Sequence, residues 1–434
     1  YKSDTTSEAD NDTLGRIKFA GSDSANNKTT YASLIVTRPD ITNGTEDGAY
    51  NFGLMVGGAY NNNFLNLVDN KISGSATSTG SFGTLEIPGK FILDSNSRIS
   101  LSNNDASDKT TLFGFEAGSL IASGDDENTM IGHQAGLRTT GGYNTYVGAD
   151  AGLGASGGDS FNVGVGRSSL FAVTTGNQNT VIGNRSGLSL TTGIKNVFIG
   201  SNAGNGTTDV DNTVIIGETA AIANMTSAAD GTVAIGKTSL TALTSGIGNV
   251  AVGFEALKAE DDGDHNTAIG YQALVAQTGT SGEVANTAVG YQAGLAITTG
   301  TQNTALGSGA LKATDDGGAN TAIGAFAMGV GNAGSNNTAV GNQCLVDVTG
   351  NHNVAVGFQT LFDLTSGGEN IGIGHSAGKL MNGAEAGNTI IGIGSMADAN
   401  NDSTAKNVTL GNYTLNDIGT NAQVILACIT KRRA

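Results

Sequence analysis

The chain has 434 residues, of which 67 are Gly, 2 are Pro and none is Trp, with 38% apolar and 14% charged residues. Its formal charge is −17, from 21 Lys plus Arg against 38 Asp plus Glu. So much glycine beside so few large apolar side chains excludes a string of ordinary compact domains, and glycine without a Gly-X-Y period excludes collagen. The acidic balance repels nucleic-acid phosphates and anionic membranes, so neither nucleic acid binding nor membrane insertion is expected.

In chain order, residues 1–72 read as a small β module with alternating strands over 31–37, 51–56 and 63–68. The opening Tyr1-Lys2-Ser3-Asp4 carries neither an initiator Met nor a secretion signal, which reads as a fragment or a processed form. Residues 73–109 read as a connector with a short strand over 89–93, and residues 412–434 as a closing segment. No apolar run approaches the ~20 residues that span a bilayer.

Between them, residues 110–411 repeat one pentad, Asn-Thr-Ala-Ile/Val-Gly. Clear copies start at Asn128, Asn144, Asn179, Asn266, Asn286, Asn303, Asn320 and Asn337. Weaker ones start at Thr110, Asn162, Asn196, Asn212, Thr232, Asn249, Asn353, Asn370, Asn388 and Asn407, eighteen in all, sixteen of them led by Asn. The commonest spacing is 17 residues, which predicts an all-β fold, a parallel β-solenoid or β-roll of about 18 coils. Three residues after each pentad Gly comes a small residue and then Leu or Gly, as in Ala273-Leu274 and Ala293-Gly294. Variable turns such as Asp315-Asp316-Gly317 follow.

A unit of this length suits one coil with two short strands. Within the pentad, period-2 geometry sends positions 2 and 4 to one face and positions 1, 3 and 5 to the other. The β-branched residues at 2 and 4 are expected to fill the interior, while Asn, Ala and Gly let neighbouring backbone approach. Stacked Asn side chains are expected to form a ladder from coil to coil. One thin coil buries little, so several chains are expected to bundle, giving a rod on the order of 85 Å long at ~4.8 Å per coil.

Several motifs invite a chemical reading that the repeat overrides. Gly231-Thr232-Val233-Ala234-Ile235-Gly236-Lys237-Thr238 spells a P-loop, but its middle is one more repeat strand, with no helix to follow. Gly329-Val330-Gly331-Asn332-Ala333-Gly334 spells a dinucleotide fingerprint without a βαβ unit. The histidines His133, His265, His352 and His375 read as solvated loop residues. The turns at Asp125-Asp126-Glu127, Asp261-Asp262-Gly263-Asp264 and Asp315-Asp316-Gly317 likewise read as solvated, without a calcium-loop pattern. Lys431-Arg432-Arg433 reads as a solvated terminus. Cys344 sits where most repeats carry Ala and reads as a small buried apolar residue, with no disulfide framework around it. No catalytic, cofactor-binding or metal-ligating residue is assigned, no cofactor is expected, and the chain reads as a non-enzyme.

The recurring Asn-x-x-Ile/Val-Gly-x-x-Ala/Ser unit resembles the head repeats of YadA-like trimeric adhesins. That resemblance implies a left-handed parallel β-roll in a three-chain bundle. Tyr271-Gln272-Ala273-Leu274 and Tyr291-Gln292-Ala293-Gly294 are still more similar to the repeats of phage tail-fibre proteins. The segment Leu14-Gly15-Arg16-Ile17-Lys18-Phe19, with the small-residue stretch 73–83, resembles the β module and connector of such fibres. They often end in an endosialidase-type chaperone, a pattern from which the closing residues 429–434 depart. The resemblance implies a homotrimeric virion appendage of a tailed virus. Its partners would be tail or baseplate proteins and a host receptor, either a glycan or an outer-surface protein. The alternatives are a bacterial trimeric adhesin passenger at the cell surface and a polysaccharide-degrading tailspike.

Overall fold

The computed structural model describes residues 12–22, 28–40, 47–56, 59–68, 71–73, 110–121, 127–154, 157–278, 282–398, 406–415 and 427–428. The strand expected over 89–93, the acidic pair Asp125-Asp126, most of the closing segment and the basic Lys431-Arg432-Arg433 lie outside them. The chain divides into two compact units, residues 1–98 and 99–434.

The first unit is an antiparallel meander of five strands, Asp12–Ser22, Lys28–Asp40, Asp47–Val56, Ala59–Val68 and Lys71–Ser73, each paired with the next. All three strands expected from alternation fall inside it. The register slips between Thr13 and Gly15 and between Phe19 and Ala20, where bulges sharpen the twist.

The second unit is a parallel β-solenoid. Eighteen three-residue strands, from Thr111–Phe113 to Val408–Leu410, form one parallel sheet in chain order, a stack of about 17 turns. A further pair, Ala427–Cys428, extends the same ladder beyond Thr409 and Leu410. Each strand is positions 2 to 4 of a pentad, so the pentad count and the rung count agree. One frame differs. The pentad placed at Asn212 begins at Thr213, whose N–H donates to Asn196 Oδ1 at 2.9 Å, while Asn212 lies in the preceding turn at φ 53. The lead position therefore carries fifteen Asn and three Thr.

Two expectations about the coil are corrected. The first is the second strand, which among the described residues forms only where Gly263–Asp264 pairs in parallel with Gly282–Glu283. Beyond the pentad the chain turns instead, because positions 7 and 9 sit in the left-handed region, as at Gln272 (φ 53) and Leu274 (φ 51). Successive rungs still exchange bonds there: Gln272 N–H donates to Phe254 O at 2.8 Å and Leu274 N–H to Ala293 O at 3.0 Å. The only helical turn among the described residues is Ser227–Ala229, which takes up the longer spacing before Thr232.

The second correction is the facing of the pentad. Positions 1 and 3 point inward and positions 2 and 4 outward. Asn266 and Ala268 are fully buried, whereas Thr267 is half-buried and Ile269 is 40% exposed. The reason is room. A coil of this length encloses too little space for a β-branched residue on every rung together with the inward residues of the turn, at positions 8, 9 and 12. Position 3 therefore trades volume with position 9. Where the strand carries Tyr146, Phe198 or Met130, the turn carries Gly152, Gly204 or Gly136. Where it carries Ala251, Ala268 or Ala305, the turn carries buried Leu257, Leu274 or Leu311. Three rungs depart from the rule: the space at Gly294 beside Ala288 is filled by Leu274 and Ile297, that at Gly378 beside Gly372 by Leu361, Ile390 and Met381, and Ile390 with Met396 buries two large residues on one rung.

The expected Asn ladder is present, with a different acceptor pattern. From Asn128 to Asn388 each lead Asn Oδ1 accepts the backbone N–H of the lead residue one rung on, as in Asn320 to Asn303 at 3.0 Å and Asn337 to Asn320 at 2.9 Å, while Asn407 Oδ1 is buried without such a donor among the described residues. The lead Asn Nδ2 donates to a turn carbonyl, as Asn303 does to Gly317 O at 2.8 Å. This satisfies buried backbone groups that a three-residue strand leaves unpaired. At Thr213 and Thr232 the ladder breaks, and both hydroxyls bond within their own turns, to Asp211 O at 3.1 Å and Ala229 O at 2.7 Å.

Position 5 admits only glycine. Gly270 has φ +139, and a β-carbon there would lie 2.3 Å from the Gly290 oxygen of the next rung. Gly231, by contrast, has φ +74 and nothing within 4 Å. Gly270→Ala is expected to cost about 3 kcal/mol or more and Gly231→Ala about 1 kcal/mol, read from thermal unfolding followed by circular dichroism. The volume exchange has its own test. Phe198→Ala is expected to cost about 3–5 kcal/mol, and Gly204→Leu alone also destabilises, because its β-carbon would meet the Phe198 ring at 2.9 Å. Together the two changes are expected to unfold at a higher temperature than Phe198→Ala by itself.

Candidate interaction surface

The pentad's outward residues form one face running the length of the solenoid. Position 2 is Thr, Val or Ile and position 4 is Ile, Val, Leu or Phe on all eighteen rungs, without a single charged residue. Leu306 is 46% exposed, Leu410 53% and Phe113 63%. In a chain of net charge −17, an uncharged stripe this long is the surface feature that most needs a partner.

The turn sides differ in character. At position 6 exposed rings stack along the rungs: Phe254 on Tyr271 with centroids 5.2 Å apart, and Tyr271 on Tyr291 at 5.5 Å. Beside them Gln272 Nε2 donates to Glu255 Oε2 at 2.8 Å and Gln292 Nε2 to Gln272 Oε1 at 3.0 Å. Stacked side chains of one kind thus satisfy each other from coil to coil.

The sequence motifs find their places here. Val233–Ile235 is a rung of the sheet and no helix follows it. Lys237 Nζ instead pairs with Glu218 on the previous rung at 2.9 Å. The Gly329 to Gly334 run is turn backbone, and Gly334 O accepts Asn320 Nδ2 at 2.7 Å. His133 stacks on Phe115 and lies 3.6 Å from Asp150, and His375 stacks on Phe358. His265 and His352 occupy left-handed positions just before their Asn, both at φ 60. No two histidines are brought together. Cys344 is buried as expected, its Sγ donating to Ala355 O at 3.2 Å, and burial pushes its thiol up to about 12.

Among the described residues, Glu260, Asp261 and Asp262 bring carboxylate oxygens within 4.8 Å of one another. Glu260 is buried and already engaged. Its Oε1 accepts the N–H groups of Asp261, Asp262 and Gly263 at 3.1, 3.2 and 2.7 Å, closing its own turn. Tyr146 donates its buried hydroxyl to Asp159 Oδ2 at 2.5 Å. Sequence reasoning missed these two buried acids, a third at Glu385, and the outward facing of positions 2 and 4. The signal for the facing was present: position 4 keeps one size class, while position 3 ranges from Gly164 to Tyr146. Size that varies in step with position 9 marks the filled side.

Compared with known proteins, the chain matches no family model, no curated protein and no solved structure. No helix among the described residues is long and apolar enough to cross a membrane.

Burial raises the Glu260 carboxyl above its usual value, against the lowering effect of the three N–H donors. A carboxyl raised in the folded chain favours folding while protonated, and that contribution is lost as pH rises through the folded value. Glu260→Gln, which keeps an oxygen acceptor, is therefore expected to unfold at a higher temperature than the parent at pH 7. That advantage is expected to shrink as pH falls through the ordinary carboxylate range, as checked by melting curves across pH.

Proposed function

We propose that this chain is the shaft of a homotrimeric fibre, an attachment appendage of a tailed virus that carries no catalytic activity of its own. One observation carries the reading: the uncharged strand face on all eighteen rungs, set against acidic and polar turns. A face ~85 Å long and about 10 Å wide presents on the order of 850 Å², near the ~800 Å² each partner contributes to a standard interface. Bundled on that face, three chains cover their apolar stripes and leave every turn outside in triplicate. Attachment is then multivalent, since weak contacts by repeated turns add through effective concentration. The acidic turns favour this reading over polysaccharide cleavage. A hydrolytic carboxylate pair needs free oxygens facing a groove, and the Glu260 carboxylate is held by its own turn.

Light scattering on the purified full chain is expected to give about three times 43.4 kDa. Beads coated with it are expected to bind bacterial cells saturably without releasing oligosaccharide from the surface polymer. A monomeric mass at micromolar concentration contradicts the trimer, and released oligosaccharide contradicts the non-enzymatic role.

A further inference from the structure

Three Asn-Gly junctions occur in the chain, Asn43-Gly44, Asn205-Gly206 and Asn382-Gly383. At such a junction the glycine nitrogen can attack the asparagine side chain, because glycine sets no side chain of its own in the way. Two things prevent it: a tethered amide, and an N–H committed to a carbonyl. Asn205-Gly206 has both. Asn205 Nδ2 donates to Arg185 O at 3.1 Å and to Asn202 Oδ1 at 3.3 Å, and the Gly206 N–H donates to Ile222 O at 3.1 Å. Asn43-Gly44 lies outside the described residues.

Asn382-Gly383 has neither. Asn382 is exposed, and its side chain makes no hydrogen bond among the described residues. It can turn its amide carbon toward the nitrogen that follows. The Gly383 N–H meets a carboxylate rather than a carbonyl, donating to Glu385 Oε2 at 2.7 Å. Glu385 is 1% exposed, and its other oxygen, Oε1, is buried without a hydrogen-bond partner.

The geometry points to a self-modifying turn, in which Glu385 is the general base that converts Asn382 to aspartate and isoaspartate. A base within about 2.6–3.2 Å of the proton-bearing atom is placed to take that proton as the new bond forms. The Gly383 nitrogen bonds to Asn382 Cγ while its proton passes to Glu385 Oε2. The Cγ–Nδ2 bond then breaks, and Nδ2 leaves as ammonia with the proton that Glu385 returns. The product is a five-membered succinimide. Water opens that ring at either carbonyl, giving aspartate or isoaspartate, and no oxidant or reductant is needed. A carboxylate on a turn N–H does not suffice alone. Glu260 accepts the Gly263 N–H at 2.7 Å, but it shares that oxygen with two further N–H groups, and the preceding side chain is Asp262. An ionised carboxylate resists attack where an amide does not.

Asn382 lies between the strands Ile371–Ile373 and Thr389–Ile391, and its main-chain oxygen accepts Thr365 Oγ1 of the previous rung at 3.2 Å. Isoaspartate routes the main chain through the side-chain methylene. It therefore lengthens this turn and adds a negative charge to a chain already at −17.

The test ages the full chain at pH 7, folded and in parallel unfolded in guanidinium chloride, and follows Asn382 and Asn205 by peptide mapping with mass spectrometry. Asn382 is expected to convert about 10-fold faster in the folded chain than in the unfolded one, and Asn205 more slowly. Glu385→Gln keeps an oxygen acceptor for the Gly383 N–H but removes the base. It is expected to slow conversion of Asn382 by about 100-fold and to leave Asn205 unchanged. A folded rate at Asn382 equal to or below the unfolded rate overturns the proposal, and that comparison stands even where the variant fails to fold. A folded Glu385→Gln chain converting at the parent rate also overturns it, leaving a hydrogen bond that only closes the turn.

Discussion

Each pentad glycine holds the carbonyl of the next rung's glycine where its own β-carbon would be. That contact recurs from Gly114 to Gly392, where a β-carbon would lie 2.2 to 2.6 Å from the next rung's glycine oxygen. It fixes the spacing of the turns and the corner at which the strand ends, and so it fixes which residues face inward. The φ values there, between +127 and +144 from Gly114 to Gly411, belong to glycine alone. Everything else in the coil is arranged around that corner.

The arrangement has a cost. Most rungs also hold two or three residues with side chains at positive φ, such as Glu255, Leu257 and His265. Each such residue is disfavoured by about 1 kcal/mol or more in an isolated chain. The opposing terms come from neighbouring rungs. Backbone bonds run to the rungs on both sides, the Asn ladder closes the groups the short strand leaves open, and Leu or a large strand residue fills the space between. No rung holds its conformation by itself, which is the general condition of solenoids.

The stacking was legible in the sequence because it is one-dimensional. A period near 17, with Asn and Gly at fixed offsets, specifies strand, ladder and rung count without any long-range contact. What sequence reasoning misjudged depends on the cross-section of the coil. β-branched residues at positions 2 and 4 suggest a buried face when strands are considered singly, yet the interior admits only what position 9 leaves free. The frame error at Asn212 has a similar origin, since Asn212-Thr213 matches the consensus letters while the glycine count from Gly217 places Thr213 in the lead. The buried acids Asp159, Glu260 and Glu385 lie in turns of varying length, where the repeat carries no positional information. The P-loop spelling falls on the strand Val233–Ile235 and the dinucleotide spelling on turn backbone, because the period overrides a local match.

An uncharged face and a turn-lined remainder divide the labour of the molecule. One side keeps uncharged residues on every rung and the other varies in its turns, so rungs can be added without altering either. The central claim is that rungs of about 17 residues stack at the spacing of a parallel sheet. Fibre diffraction from oriented purified protein tests this most directly. Stacked rungs are expected to give a strong reflection along the fibre axis near 4.8 Å, whereas a reflection near 5.4 Å from helical pitch, or no axial order at all, would contradict the stacking.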